Sequence, residues 1–131
     1  MSGLDTSVIV RYLVGTPEAQ AKRAAALIDG DEVCAISLVA LAEAAHVLRT
    51  QYDVSQPDII GAMTAFIQRE NIRLLGIRTE HVISTLLRAR DMPGRPIPDA
   101  LIVAASLAGD AIPLATFDRG QAQYGIATRA P

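Results

Sequence analysis

Val33-Cys34-Ala35-Ile36-Ser37-Leu38-Val39-Ala40-Leu41-Ala42-Glu43 joins a strand, a helix cap and a helix without a spacer. Val33 to Ile36 is apolar throughout, as a short strand covered on both faces would be. Ser37 is helix-capping chemistry, and the helix it opens runs through about Thr50. A buried strand passing at once into a helix is half of a crossover unit and predicts a parallel sheet.

The same alternation extends in both directions. Leu4 is a short strand remnant, Asp5-Thr6-Ser7 is a capping sequence, and Val8 to Val14 reads as the first helix behind that cap. Thr16-Pro17 opens a second helix, with proline at its first position, and Gly30 stops it after Asp29. Downstream, Ser55-Gln56-Pro57-Asp58 opens a helix that ends near Glu70. Ile72 to Ile77 is a strand. Thr79 caps a helix carrying Val82, Ile83, Leu86 and Leu87 at helical spacing. Met92 to Pro96 is a loop, and Pro98-Asp99 starts a helix that ends at Gly109. Ile112 to Ala115 is a strand, Arg119 to Tyr124 one helical turn, and Ile126 to Arg129 a last strand. The pattern predicts one α/β domain over residues 1–131, with a short parallel sheet of four to five strands, helices on both faces and right-handed crossovers.

Composition narrows the function. The chain has 131 residues, half of them hydrophobic, and a mean hydropathy of +0.28. That is enough for a real core and predicts apolar surface covered by a partner, with the segments Val8 to Val14 and Val47 to Leu48 as candidates. No apolar run is long enough to span a membrane. The opening Met1-Ser2-Gly3-Leu4-Asp5 has no basic, apolar leader, which predicts a cytoplasmic protein. The single cysteine, Cys34, excludes a disulfide framework and reads as a buried, inert thiol. His46 and His81 lack the paired spacing of a zinc site. Net charge is -2, and eleven of the twelve basic residues are arginine. A coat of basic charge is therefore excluded, although arginine forks suit phosphate oxygens.

Four acids carry the functional reading: Asp5, Glu43, Asp99 and Asp118. Asp5 follows the first strand, Asp99 stands at a helix start, and Asp118 follows the strand ending in Ala115-Thr116-Phe117. Each of these three also has a capping or turn role open to it. Glu43 has no such excuse, since its neighbours are small or apolar and it has no charged residue three or four positions away to pair with. An α/β fold collects the ends of its strands at one edge of the sheet, where ligands bind. Carboxylates crowded there repel one another unless a cation neutralises them, and hard oxygen ligands select Mg²⁺ or Mn²⁺. The hydroxyls of Thr6, Ser7 and Thr116 flank the acids and can orient a carboxylate or a water. Setting the four acids aside would turn the net charge of -2 into +2.

Four stretches resemble the PIN domain family. They are Leu4-Asp5-Thr6-Ser7-Val8-Ile9-Val10-Arg11-Tyr12-Leu13, Ser37 to Glu43, Pro98-Asp99-Ala100-Leu101-Ile102-Val103-Ala104-Ala105-Ser106, and Leu114-Ala115-Thr116-Phe117-Asp118-Arg119. They occur in order across the whole chain, and its length and motif style resemble the VapC-type toxins of prokaryotic toxin–antitoxin pairs. The resemblance implies a Mg²⁺- or Mn²⁺-dependent endoribonuclease. It carries over Asp5, Glu43, Asp99 and Asp118 as catalytic and metal-binding acids and Thr116 as an accessory hydroxyl. It also implies a homodimer and a small antitoxin partner. Two departures stand out: Gly3 occupies the first strand where an apolar residue is usual, and Gln121 replaces an aromatic often found after the fourth acid.

Arg90 and Arg95, flanking the loop before Asp99, and more weakly Arg11, are the candidates for RNA phosphate. Aromatic rings are scarce, at 4% of the chain, so a platform of stacked bases is not expected. Phosphatases of the haloacid-dehalogenase type want a second aspartate two residues after the first, where Ser7 stands. They and response-regulator receivers need a late lysine, and the only lysine is Lys22. No Walker-type phosphate loop is present. A non-catalytic PIN-fold interaction module and a nuclease acting on DNA remain as alternatives.

Overall fold

The structure, a computed structural model, describes residues 1–92 and 94–131; the expected loop from Met92 to Pro96 includes Pro93, which lies outside the described residues. In chain order the elements are β1 (Ser2–Gly3), α1 (Thr6–Val14), α2 (Glu18–Ile28), β2 (Cys34–Ile36), α3 (Leu38–Thr50), α4 (Gln56–Ile67), β3 (Ile72–Leu74), α5 (Thr79–Arg90), α6 (Ile97–Ala108), β4 (Leu114–Ala115), a 3-10 helix (Arg119–Tyr124) and β5 (Thr128–Arg129). The architecture is α/β, as the alternation of strands and helices predicts.

The sheet departs from expectation by being divided. β1, β2 and β3 form one parallel sheet with β2 in the middle, and β4 and β5 form a separate parallel pair. All three residues of β2 are buried. Successive strand side chains point to opposite faces, so this strand is covered on both sides, as its unbroken apolar run predicts.

Several boundaries differ from expectation for local reasons. β1 lies at Ser2–Gly3, and the ladder runs on one step, with Leu4 N donating to Ala35 O at 2.8 Å. α1 begins at Thr6 rather than Val8 because Asp5 caps it directly. β3 stops at Leu74, two residues before Gly76 takes a positive φ of 73°. β4 begins at Leu114, after Pro113, which has no N–H to give a ladder.

The core is built from Ile9 and Val10 of α1, Ile36 of β2, Leu41, Ala44 and Ala45 of α3, Ile60 and Met63 of α4, and Val103 and Ala104 of α6, all buried. The alanines of α3 and α6 let these two helices pack against each other. Tyr12 hydroxyl donates to Asp29 Oδ1 at 2.7 Å, and Arg69 donates to both, tying the ends of α2 and α4 to α1. Val8, Leu13, Val14 and Val47 pack against the core and Leu48 is buried. The two segments expected to meet a partner are thus largely used internally. Exposed large apolar side chains are instead Val39 of α3, Leu87 of α5, Ile102 of α6, and Leu75, Ile112 and Phe117 in connections. Cys34 is a buried free thiol, as expected. Gln121, where the resemblance expects an aromatic, is buried. Among the described residues no helix is long and apolar enough to cross a membrane.

Ile36 should be among the most costly positions to truncate. It is fully buried in a strand with no solvent face. Ile36→Ala should lower the unfolding free energy by about 2–5 kcal/mol, read by urea denaturation followed by circular dichroism. A loss below about 1 kcal/mol would mean that the centre of the sheet collapses around the deletion.

Candidate active site

Parallel register brings the first two motifs together. Gly3 pairs with Ala35, so two residues further along, Asp5 and Ser37 leave adjacent strands at the same carboxyl edge. Both serve as helix caps. Asp5 accepts from Ser7 N at 3.3 Å and from Ser7 Oγ at 2.8 Å, and Ser37 Oγ accepts from Ala40 N at 3.0 Å. The Ser7 hydroxyl, more than any other group, holds the Asp5 carboxyl below its ordinary range, and the Ser7 backbone N–H adds to it. Ser7 therefore has the carboxylate-orienting role that its position suggests.

Glu43 lies in the second turn of α3 and is exposed. Val39 one turn before it and His46 one turn after it are exposed as well, so this flank of α3 faces outward. Glu43 is in no ion pair among the described residues, as its sequence surroundings led one to expect. It is not, however, turned into the protein.

Asp99 occupies the first turn of α6 and is partly buried. α6 packs on α3, α5 and the 3-10 helix, and together with α5, which also meets the 3-10 helix, it joins the neighbourhoods of the two sheets. Its cap, Pro96, and first residues, Ile97 and Pro98, line a small cleft with Ala45, His46 and Arg49 of α3. The start of α6 thus lies beside the half of α3 that follows Glu43.

Asp118 caps the 3-10 helix, its Oδ1 accepting from Gly120 N at 2.8 Å. The same carboxylate receives the Arg95 guanidinium at 2.8 and 3.4 Å. Arg95 lies over the ring of Tyr124, 5.7 Å from its centroid, and so close to Gly120 that a Cβ there would stand 2.5 Å from Arg95 Nη1. Only glycine fits at that position without moving the arginine. Arg95 first, and the Gly120 N–H second, hold Asp118 below the ordinary carboxyl range; Asp118 in turn raises Arg95. The Tyr124 hydroxyl donates to Pro96 O at 3.1 Å. Burial raises its pKa, and the charges of Asp99 and Asp118 both reach it.

The expected crowding of carboxylates is not what the structure displays. The two acids with displaced pKa values, Asp5 and Asp118, are both lowered by hydrogen-bond donors rather than raised by one another. Among the described residues no three His, Cys, Asp or Glu side chains stand close enough together to hold a metal ion. The donor chemistry itself, carboxylates and hydroxyls with no thiolate or imidazole, suits a hard divalent cation. The acids also belong to two sheets rather than one: Asp5 and Glu43 go with β1–β3, and Asp118 with β4–β5.

The three arginines chosen for phosphate fare differently. Arg95 is committed to Asp118 and Tyr124 and is not a free cation. Arg90 sits loosely against Asp91, 3.9 Å away. Arg11 donates to Gln20 Oε1 at 2.9 Å and lines a cleft of about 480 Å³ that begins at Ser7 and includes Arg23. Thr116 Oγ1 accepts from Asp118 N at 2.9 Å, so its hydroxyl shapes the turn that carries the acid. Sequence reasoning missed the Arg95–Asp118 pair, because nothing local joins positions 23 residues apart.

The chain from residue 4 to residue 127 matches the PIN domain family. No curated protein and no solved structure matches it significantly.

The Arg95–Asp118 pair predicts a pH signature. A carboxyl lowered in the folded state adds stability that is complete above its unfolded value, near 3.8, and is lost as pH falls through the lower folded value. Arg95→Gln should melt below wild type near neutrality, and the gap should narrow below pH 3.8. The Asp118 carboxyl, followed by NMR, should titrate higher in the variant. A gap that is constant through acid pH would mean that Arg95 stabilises by packing on Tyr124 and Gly120 alone.

Proposed function

The chain belongs to the PIN domain family, whose members are generally nucleases, and from that premise we propose that it is a Mg²⁺- or Mn²⁺-dependent endoribonuclease acting as the toxin of a toxin–antitoxin pair. The observation that carries the reading is the position of α6. This helix, with Asp99 in its first turn, packs on α3, which carries Glu43, and on the 3-10 helix capped by Asp118, while Asp5 caps α1, which also packs on α3.

Asp5, Glu43 and Asp99 are the residues that would hold the cation, with Asp118 beside them. When bound, the cation supplies Lewis acidity toward the phosphoryl oxygen and a water of lowered pKa. The protein supplies the rest. Ser7 keeps Asp5 ionised and turned to the edge of the sheet. Glu43, exposed and unpaired, is free to orient the attacking water and take its proton. Arg95 fixes Asp118 and thereby the start of the 3-10 helix. Arg11 and Arg23, lining the cleft next to Ser7, are placed to receive phosphate, and RNA is the proposed substrate. A second copy of the chain and an antitoxin are the proposed partners, for which exposed Val39 and Ile102 on α3 and α6 are suitable apolar contacts.

One observation favours a second reading. Asp118 is already neutralised by Arg95, and no three potential ligands are gathered among the described residues. A non-catalytic interaction module of the same fold would look like this. Purified, partner-free protein incubated with total RNA separates the two. A nuclease should cut with Mg²⁺ or Mn²⁺ and stop with EDTA, whereas the module should cut under neither condition. Parallel DNA substrates settle the choice of nucleic acid.

Glu43→Gln is the sharpest test of the residue roles. It preserves size and helix propensity, so circular dichroism should be unchanged. Loss of the charge that orients or deprotonates water should slow RNA cleavage about a hundredfold, or about 2.7 kcal/mol of barrier. An unchanged rate would return Glu43 to the ordinary surface of a helix. In addition, millimolar Mn²⁺ should raise the melting temperature of wild type and raise that of Asp5→Asn less. Equal rises would place the ion elsewhere.

A further inference from the structure

Phe117 is 93% exposed, more than any other large hydrophobic side chain among the described residues. It is also not on a loose segment. On one side Thr116 N donates to Arg129 O at 3.0 Å, which holds the end of β4 to β5. On the other, Asp118 N donates to Thr116 Oγ1 at 2.9 Å and Gly120 N to Asp118 Oδ1 at 2.8 Å. The ring therefore stands out into solvent from a turn that is anchored by hydrogen bonds on both sides of it.

The ring borders a cleft of about 300 Å³, whose other walls are Thr116, Arg119, Thr128, Arg129 and Ala130. That volume is at the lower end for ligand sites. Arg119 and Arg129 are not buried, and neither is in an ion pair among the described residues. Arg129 donates only its Nε, to Ala130 O at 3.4 Å, which leaves its terminal fork open. Asp118, although it lies between Phe117 and Arg119 in sequence, is turned toward Arg95 and the Gly120 N–H and does not line the cleft. No carboxylate among the lining residues opposes an anion there.

We propose that this cleft is a nucleotide subsite for single-stranded nucleic acid, with Phe117 as the surface on which an unpaired base stacks and Arg119 and Arg129 as contacts to the flanking phosphates. The inference rests on the nuclease reading and extends it to a chemical form of substrate. A flat ring next to two free guanidinium groups is the pairing that unstacked nucleotides require, because every base has a π-face and every link a phosphate. The surroundings argue against a protein ligand: the ring has threonine and arginine beside it rather than the contiguous apolar patch that a hydrophobic interface uses. Duplex would present no free base to the ring and should bind only through its phosphates. Phe117 precedes Asp118 in the chain, and the Asp118 carboxylate faces Arg95 rather than the cleft.

The chain contains no tryptophan, which makes Phe117→Trp a sole indole at the proposed platform. A short single-stranded oligoribonucleotide, its deoxy counterpart and a duplex of the same sequence are titrated into this variant with EDTA present, so that nothing is cut. Quenching of the indole by the single strands and not by the duplex is the expected result. The labelled single strand, followed by anisotropy, should bind Phe117→Ala about tenfold more weakly than wild type, which is about 1.4 kcal/mol. Arg119→Gln and Arg129→Gln should each lower the salt slope of binding by about one.

Equal affinity of wild type and Phe117→Ala would overturn the subsite while leaving the nuclease reading intact. Quenching without any metal-dependent cleavage would keep the subsite and remove the catalytic reading. A wild type that binds no single strand would overturn the subsite, and the nuclease reading would then stand or fall on the cleavage assay with metal. Should Phe117→Ala change the mass by light scattering and leave oligonucleotide binding untouched, the ring belongs to an interface between copies of the chain and the subsite is wrong.

Discussion

Parallel pairing on both sides of Cys34–Ile36 constrains everything else in the molecule. Parallel strands cannot be joined by a tight turn, so each connection has to travel back along the sheet, and here helices make the journey. β1 and β2 each then deliver the chain to a helix start at the same carboxyl edge. The caps have to be there, since the first N–H groups of each helix have no partner within it. Asp5 and Ser37 meet that need at neighbouring positions. A site at this edge is thus a by-product of topology before it is a product of chemistry, and a carboxylate used as a cap there is already aimed and ionised.

The β4–β5 pair has a different tie to the rest. Its strands are short, and their link to the larger unit passes through the 3-10 helix, which packs on both α5 and α6. Arg95 holds that link by contacts of three kinds: a two-pronged bond to Asp118, the face of Tyr124, and the bare backbone of Gly120. Its side chain is only 23% exposed, so the pair is less screened than the surface pairs Lys22–Glu18 and Arg78–Glu80. Asp118 therefore has a structural role whether or not it also meets a cation. That separates it from Asp5, Glu43 and Asp99, none of which has an arginine or lysine partner among the described residues.

Whatever was legible in the sequence depended on local chemistry. Caps at Asp5, Ser37 and Ser55 could be read because a hydroxyl or carboxylate two or three residues before a free N–H is a contact within the segment itself. The covered strand at 34–36 could be read because its composition allows no solvent face. The division of the sheet could not, since whether a two-residue strand such as Leu114–Ala115 reaches a larger sheet is decided by packing at a distance. The same holds for the Arg95–Asp118 pair. Val8 to Val14 and Val47 to Leu48 look like spare apolar surface in sequence, yet they meet the core once the helices pack.

Glu43 illustrates how the structure changes the weight of a sequence signal without removing it. In sequence it stands alone among alanines and leucines, which makes it a more specific signal than a surface charge. In the fold it is exposed, and an exposed carboxylate on a helix is an ordinary thing. What remains unusual is its company: Val39, a large apolar side chain 75% exposed one turn away, and the first turn of α6 beside the next stretch of α3. A phosphodiester is a bulky, charged, hydrated group, and a side chain that acts on it has to be reachable from solvent. Exposure leaves it open to substrate, so the position that weakens the first argument for Glu43 is compatible with the proposed role in hydrolysis.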